Sequence, residues 1–309
     1  MKTRIVLVSV AVLVTMGLLL VAQYLGPAGS FVNLLLAVPV AYVAMRAGML
    51  AALLGLGICA VLQYFDGQPW SALIYVLQYT IPSLVLPLLL KRGYSLLRSW
   101  FICLLLASSG AMASALLFAT RSGSSLSQLV ASYVTAEVAK ARQVYEQADV
   151  SKEQLQQLYE VLDKTALFLQ QAYVGLAVLS FAAIIAVTIV FLRLLASERY
   201  YVPAIYFHEL RVPDMVIWLL IAAGFGMLVD SPAPVQTVSL NVLTVLLPLY
   251  FLQGVAILTF FFRKKGFPVV TRVLGYILIL IINPLPLLVT AVGVFDLWFD
   301  FRKPRVKTT

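Results

Sequence analysis

Charged residues are scarce in this sequence, and histidine is almost absent from it. Charged side chains make up 11% of the 309 residues and hydrophobic ones 62%, whereas a soluble domain carries about 25% charged residues. With His208 as the single histidine, no pair of histidines is available for a bis-histidine haem or a two-histidine zinc motif. A Walker phosphate loop is also missing, which argues against ATP hydrolysis. The composition predicts a polytopic membrane protein.

The few remaining reactive residues do not indicate an enzyme. Cys59 and Cys103 each lie within an apolar run, which predicts small core residues and no disulfide. His208 beside Glu209 allows a metal or acid–base pair or a solvated turn, and we favour the turn. The glycine-flanked aspartate of intramembrane aspartyl proteases is absent, and no span offers a histidine to an intramembrane serine protease. We therefore predict no enzyme, no cofactor and no metal site.

Long apolar runs occupy most of the chain. The predicted spans lie at about residues 5–22, 31–45, 49–65, 70–90, 99–120, 166–195, 215–229 and 235–262. Lys2 and Arg4 precede the first run like the basic start of a signal peptide, but about 18 apolar residues exceed the 7–15 of a signal peptide. We interpret this run as a spanning helix that the mature protein keeps.

The one long stretch too polar for a bilayer covers residues 121–165. Apolar residues recur in it at helical spacing, in two blocks separated by a break near residues 149–150. Ser151 and Gln154 fit a capping box, which places a new helix start directly after the break. We predict two antiparallel amphipathic helices outside the membrane, the second continuing into the next span.

The basic residues predict the orientation of the chain. Lys and Arg number 22 against 13 Asp and Glu, a net charge of +9, and in a membrane protein such an excess indicates topology before nucleic-acid binding. With a cytoplasmic N-terminus, the basic loops at residues 46, 91–98, 193–211 and 263–265 all fall inside. The near-neutral stretch 121–165 then falls outside, as the positive-inside rule allows. We expect contact with lipid and no nucleic-acid partner.

The last apolar segment, residues 267–295, breaks this alternation. A single crossing puts the basic tail 296–309 outside, against the rule. The sequence Asn-Pro-Leu-Pro at residues 283–286 either kinks a helix or turns the chain back. We favour a hairpin of two short helices or a re-entrant pair, although each arm is then shorter than the roughly 20 residues of an ordinary span.

The polar residues deep in the spans carry no charge. They are Asn33, Gln63, Gln78, Asn241, Gln253 and Asn283. Ionisable groups at such depth mark proton and ion pathways, so a proton-coupled pump is not expected. Uncharged amides either join helices by hydrogen bonds or line a cavity for a small solute, for which Gln78 and Gln253 are best placed. A water-accessible pocket lined by Asn33, Gln63, Gln78 or Tyr79 would favour the solute.

Three stretches of the second half carry a family resemblance: ELRVPD at 209–214, YFLQGVA at 250–256 and GVFDLWFDFRK at 293–303. They resemble the YybS-like family of bacterial membrane proteins, a domain of unknown function, and the similarity runs over nearly the whole chain. The pattern Asp296, Trp298, Asp300 and Arg302 is its most specific part. The resemblance implies a bacterial inner-membrane protein but brings no ligand or activity.

A second, more distant resemblance lies in the first half. LAVPVA at 36–41 leads through RAG at 46–48 into a glycine- and alanine-rich span. This is similar to the opening of substrate-binding subunits of energy-coupling-factor vitamin transporters. The resemblance implies a small molecule bound among about six helices and a partner subunit docked on the first helix. Here the first span has no clear alanine pair at four-residue spacing, and a further hydrophobic half follows Lys164.

The sequence thus predicts an all-α polytopic transmembrane bundle of eight to ten segments with one extramembrane helical hairpin. Residues 1–120 form a membrane half of about five spans, 121–165 the hairpin, 166–295 a half of three spans plus the proline-broken segment, and 296–309 a basic cytoplasmic tail. Two functions remain open. One is a non-enzymatic scaffold or accessory protein that contacts other membrane or envelope proteins through hairpin and tail, the tail being either a recognition element or an interfacial anchor. The other is a small-solute-binding subunit of an energy-coupling-factor-like transport system, whose ligand is unknown.

Overall fold

The structure, a computed structural model, describes residues 2–65, 69–146, 151–196, 206–229 and 231–302. Within these ranges every regular element is helical, which confirms the predicted all-α fold. The helices are α1 Lys2–Tyr24, α2 Gly29–Asn33, α3 Val38–Arg46, α4 Met49–Phe65, α5 Pro69–Thr80, α6 Leu86–Lys91, α7 Leu96–Arg121, α8 Leu126–Glu146, α9 Lys152–Ala196, α10 Val216–Leu228, α11 Ala233–Lys264, α12 Val269–Ile281 and α13 Leu285–Phe299. A π-helical turn, Ile81–Val85, joins α5 to α6.

Among the described residues, six helical segments are long and apolar enough to cross a membrane. They are Lys2–Tyr24, Gly29–Arg46, Ser71–Lys91, Leu96–Arg121, Lys152–Ala196 and Ala233–Lys264. Helices α4 and α10 are apolar but shorter, and α12 and α13 pass the same test only as a pair. The protein is therefore a multi-pass membrane protein.

The chain divides into two compact units. The first unit contains Met1–Ser132 and Ala177–Ala204, and the second contains Tyr133–Leu176 and Ile205–Thr309. Helix α9 thus contributes to both. Its uninterrupted course from Lys152 confirms that the second hairpin helix continues into the following span.

In the first unit, side chains of later segments donate hydrogen bonds to backbone carbonyls of α2, of α3 and of the break between them. The hydroxyl of Tyr79 donates to the carbonyl oxygen of Asn33 (3.1 Å) and the hydroxyl of Ser83 to that of Ala37 (3.2 Å). Near the end of α3, the Lys91 ammonium donates to the carbonyl oxygen of Ala44 (2.6 Å). The Asn33 and Ala37 carbonyl oxygens also accept from the backbone N–H groups of Leu36 (3.3 Å) and Ala41 (3.0 Å), so the side-chain donors use their second acceptor positions. These hydrogen bonds join α5, the π turn and α6 to the chain around the break.

The polar stretch after α7 forms the predicted pair of helices. Gln154 and Ser151 exchange side-chain to backbone hydrogen bonds of 3.2 Å each, which confirms the capping box at the start of α9. Ser125 and Gln128 form the same motif at the start of α8, where the sequence analysis had not identified it. The predicted break at residues 149–150 lies outside the described residues. Arg142 of α8 forms an ion pair with Asp163 of α9, as expected for antiparallel neighbours.

In the second unit, an asparagine joins α9 to α11. The Asn241 side-chain amide donates to the carbonyl oxygen of Gln171 and its oxygen accepts from the backbone N–H of Gly175, both at 2.7 Å. These two backbone groups are the pair that an uninterrupted helix would bond to each other. Asn241 therefore serves helix packing. A Cβ at Gly175 would collide with the carbonyl oxygen of Asn241, so glycine permits the approach.

Helices α12 and α13 meet at a bend of 105° around the predicted Asn-Pro-Leu-Pro break. This angle is that of a broken span or a re-entrant loop rather than a straight single crossing. Of the alternatives drawn from the sequence, an uninterrupted span across 267–295 is therefore excluded.

We predict that Gly175→Val lowers the thermal stability of the detergent-solubilised protein, because the new side chain collides with Asn241 and Thr244. Gly224→Val is the matched control, since a Cβ at Gly224 meets no atom within 4 Å. Fluorescence-detected size exclusion after heating measures the fraction that stays monodisperse. Equal loss in both variants would contradict the described α9–α11 contact.

Candidate functional site

Two glycines bring α11 and α13 into close contact. A Cβ on Gly254 would collide with the carbonyl oxygen of Val289, and one on Gly293 with the carbonyl oxygen of Tyr250. Because the pairs run 250 to 293 and 254 to 289, the two helices are antiparallel. Small residues at such crossings let backbones approach in lipid. The contact places Gln253, beside Gly254, next to the last turn of α13.

The carboxylate of Asp296 is the centre of a buried polar cluster. Asp300, in the left-handed conformation at φ 37°, ends α13 and reverses the chain. The reversal lets the backbone N–H of Phe301 donate to Asp296 Oδ1 (3.1 Å) and the Arg302 guanidinium to Asp296 Oδ2 (2.6 Å). Aspartate tolerates this conformation better than most residues. The seven residues 296–302 thus close into a ring through the contact between Asp296 and Arg302.

Gln253 attaches α11 to the carboxylate and to the segment before α10. Its side-chain nitrogen donates to Asp296 Oδ2 (3.2 Å), and its oxygen accepts from the backbone N–H of Val212 (2.8 Å). Gln253 is buried, and both ends of its amide are occupied by protein groups. It therefore joins three segments.

Arg302 completes the cluster by binding the connector, which we define as residues 206–214. Its Nη1 donates to the carbonyl oxygens of His208 (3.1 Å) and Leu210 (2.9 Å). The side chains of Arg302 and Asp296 are only 6% and 3% exposed. Ions this deeply buried stay charged only when paired and hydrogen-bonded. Both conditions are met here.

A second ion pair lies at the rim of the cluster. Arg211 of the connector donates to Asp300 Oδ1 at 2.8 Å. The Arg211 side chain is more exposed than that of Asp300, so this pair is partly screened by solvent and contributes less than the buried one. It nevertheless binds the residue that reverses the chain, and so supports the turn.

The polar groups of the cluster bond to other parts of the chain. The Asp296 carboxylate accepts from an amide, a backbone N–H and a guanidinium, which occupy three of its roughly four acceptor positions. Among the described residues, no group of three or more His, Cys, Asp or Glu side chains could hold a metal ion.

The other predicted site residues lie apart from this cluster. Asn33 contributes its backbone carbonyl to Tyr79, and Gln63 donates to the carbonyl oxygen of Cys59 within its own helix (3.3 Å). Gln78 is half-buried on α5. Trp298 is exposed, with its ring centroid 6.1 Å from that of Phe295. Of the four residues in the predicted tail motif, Asp296, Asp300 and Arg302 belong to the cluster or its rim, and Trp298 faces outward.

A cavity of about 340 Å³ lies in the first unit. Its lining residues belong to α1, residues 35–42 and the end of α9, and Tyr42 is the one among them whose side chain carries a polar atom. None of the described residues Asn33, Gln63, Gln78 and Tyr79 lines it. This cavity is therefore not the polar pocket that would favour solute binding.

The sequence analysis did not identify Gly254 and Gly293 as the contact that assembles the cluster. Both lie in stretches that carry the family resemblance, and that was the available signal. The connector contributes backbone groups of Val212, His208 and Leu210 to the cluster. The side-chain types in the sequence do not indicate these contacts. Contacts of these backbone donors and acceptors are seen only in the folded chain.

The fold and the cluster define a polytopic, all-α membrane protein with a buried ion pair in its second unit. A sequence family agrees with this class: the family described as "Predicted membrane protein (DUF2232)" matches residues 13–297. The chain belongs to this family. No curated protein and no solved structure matches it. The resemblances to the YybS-like family and to energy-coupling-factor subunits stay predictions.

We predict that Asp296→Leu and Arg302→Met each lower the free energy of unfolding by about 3–5 kcal/mol, because each leaves a buried partner without its counter-charge. The double variant Asp296→Leu/Arg302→Met loses much less than the sum, since it leaves no buried charge. Thermal unfolding of the detergent-purified protein completes this double-mutant cycle. Lys140→Met, which breaks the exposed Lys140–Glu137 pair, is the control and leaves the melting temperature unchanged. Additive losses would contradict a coupled pair.

Proposed function

We propose that the protein is a non-enzymatic scaffold or accessory protein of the bacterial cytoplasmic membrane. The observation that carries the proposal is the Asp296–Arg302 ion pair, which uses its hydrogen bonds to fix the connector and the turn after α13. A site for a polar solute keeps donors and acceptors available for the ligand. In this cluster the Asp296 carboxylate and both terminal nitrogens of Arg302 bond to the chain, and among the atoms of this pair only Nε of Arg302 is buried without a partner.

The fixed turn presents an aromatic surface, formed by Phe295, Trp298, Phe299 and Phe301. These rings contact one another, with centroids 5.7 Å apart for Phe299 and Phe301 and 6.4 Å for Phe295 and Phe299. Phe299 is 68% exposed. Aromatic residues are enriched both at protein interfaces and at membrane interfaces. We propose that this surface binds a partner membrane protein.

The charged residues of the tail motif thus support the proposed recognition surface and are not part of it. Asp296 and Arg302 are buried, so they position the aromatic surface and do not meet a partner themselves. The hairpin of α8 and α9 supplies a second surface, with Tyr133 and Val161 exposed for contacts on the opposite, extracytoplasmic side.

The proposed orientation has a cytoplasmic N-terminus and a cytoplasmic tail. Helix α13 has 15 residues, about 22 Å at 1.5 Å per residue, which is shorter than the roughly 30 Å hydrocarbon core. Arg302 then returns to the connector, whose His208 lies 3.3 Å from the basic end of α11 at Arg263. These contacts support a tail that begins on the same side as the connector, as the positive-inside rule favours.

The alternative, a solute-binding subunit of an energy-coupling-factor-like system, has less support. The cavity in the first unit is apolar. Gln253, one of the two residues that the sequence analysis placed best for binding a solute, bonds to protein groups at both ends of its amide. We do not assign a transported solute.

Photo-crosslinking in living cells tests the scaffold. A benzoyl-phenylalanine at Phe299 is expected to give one discrete protein adduct, whereas the matched control at Leu280, 67% exposed on α12, gives lipid adducts only. Asp296→Asn in the Phe299 background is expected to reduce the adduct at least fivefold at equal membrane level, because the surface loses its support. If Phe299 gives only lipid adducts, the aromatic surface is an interfacial anchor and does not bind a partner protein. A polar metabolite retained at one per chain in native mass spectrometry would overturn the proposal in favour of transport.

A further inference from the structure

Helix α12 packs on α11 along one narrow stripe. The hydroxyl of Tyr276 lies 2.8 Å from that of Thr259 on α11, and its ring centroid lies 5.8 Å from that of Phe262. A Cβ on Gly275 would lie 3.0 Å from the Phe262 ring, so this glycine lets the two helices approach. The stripe repeats at helical spacing and consists of Arg272, Gly275, Tyr276 and Ile279. Of residues 269–281, all of which the structure describes, only Ile279 is buried.

The other side of α12 is apolar and exposed. Its residues are Val, Leu and Ile, with the exception of Thr271. Val269 and Ile281, at the two ends of the helix, are 70% and 74% exposed. In a multi-pass membrane protein, such a face meets the acyl chains of lipid rather than water. The helix is about 20 Å long at 1.5 Å per residue, so an acyl chain of one leaflet, about 15 Å, can lie along it.

The chain enters α12 through a tight turn, residues 263–267, which we call the basic turn. The backbone N–H of Phe267 donates to the carbonyl oxygen of Phe262 (3.0 Å), which closes the turn at the end of α11. Gly266 takes a φ of 70°, which glycine adopts without steric cost. Lys264 and Lys265 lie in this turn, and both are exposed. Two lysines therefore lie where the apolar face of α12 begins.

A third cation folds back onto the basic turn. Arg272, in the first turn of α12, donates from its Nε to the carbonyl oxygen of Phe267 (2.7 Å). This bond holds its guanidinium beside the turn. The Lys264 ammonium lies 5.7 Å from the centroid of the Phe260 ring, a cation–π contact that neutralises no charge. Three cations are thus gathered around one turn of the chain.

No carboxylate of the described chain neutralises these three cations. Within the described residues, none of Lys264, Lys265 and Arg272 forms an ion pair. The sequence contains no Asp or Glu from residue 231 to residue 295. The adjacent Arg263 differs, because its Nη1 lies 3.3 Å from His208 Nδ1 and is directed to the connector. The basic turn therefore carries an excess of positive charge.

We propose that the basic turn binds the phosphate of an anionic glycerophospholipid whose acyl chains lie along the exposed face of α12. The lysines complement the charge of the head group, and the planar guanidinium of Arg272 matches the oxygens of a phosphate. Clusters of Lys and Arg at the end of a transmembrane helix attract anionic lipid in this way. The inference depends neither on the scaffold proposal nor on which leaflet the turn meets.

Native mass spectrometry of the full-length, delipidated protein tests this site. The protein is incubated separately with phosphatidylglycerol and phosphatidylcholine, each with dioleoyl chains, at the same concentration. Because phosphatidylcholine has the same phosphate but no net charge, we expect roughly tenfold more bound phosphatidylglycerol on the wild-type chain. Glycerol phosphate, which has the charge but no acyl chain, is not expected to displace the lipid.

Charge-removing variants locate the site. Lys264→Gln/Lys265→Gln is expected to lower bound phosphatidylglycerol roughly tenfold and to leave phosphatidylcholine unchanged. Lys152→Gln/Lys164→Gln is the matched control, because it removes two exposed lysines of α9 and is expected to leave both lipids unchanged. Arg272→Gln removes the third cation and is expected to lower bound phosphatidylglycerol as well. Each variant is first shown to be monodisperse, and either of the two site variants decides the test alone.

The proposal is overturned by equal binding of the two lipids to the wild-type chain, or by full binding of phosphatidylglycerol to a site variant. An equal loss in the α9 control would also overturn it, because net charge rather than the basic turn would then control binding. Displacement by glycerol phosphate would assign the turn to free phosphate instead of lipid.

Discussion

The arrangement of the second unit depends on keeping one carboxylate and one guanidinium charged away from water. Asp296 and Arg302 are almost entirely buried, and each would be strongly unfavourable without the other. Their pairing requires α11 and α13 to touch, the turn at Asp300 to reverse the chain, and the connector to offer its carbonyls. If any of these is removed, the remaining parts lose a bonding partner. The ion pair thus couples a helix crossing, a turn and a loop that are far apart in sequence.

The same constraint explains the packing elsewhere in the molecule. An apolar surrounding offers no water to a backbone group that leaves its helical partner. The Tyr79 and Ser83 hydroxyls donate additional hydrogen bonds to backbone carbonyls around the break between α2 and α3, and the Asn241 amide bridges a backbone pair of α9. These polar side chains of apolar helices bond to the backbone of a neighbouring segment. Asn241 and Gln253 both bond between segments in the structure, and the choice between packing and solute binding for the deep amides stays a prediction.

Much of this fold could be predicted from the sequence, because hydrophobic length, basic loop residues and turn signals act locally. The start of α9 at Ser151 and the break around residues 283–286 are examples. The candidate site could be predicted only in pieces. Gln253 was placed as a solute or packing residue and Asp296 as part of a cytoplasmic tail, and nothing in residue spacing indicates that they touch. Their contact depends on two glycines that remove side-chain volume from a helix crossing, a property of three-dimensional packing.

The 45 residues of α9 form one uninterrupted helix, about 68 Å long at 1.5 Å per residue, more than twice the roughly 30 Å of a hydrocarbon core. Its first turns are polar and belong to the hairpin, and its later turns are apolar. A helix of this kind is not a flexible tether, because regular backbone structure links its polar turns to its apolar ones. The second hairpin helix therefore enters the following apolar segment without an intervening loop.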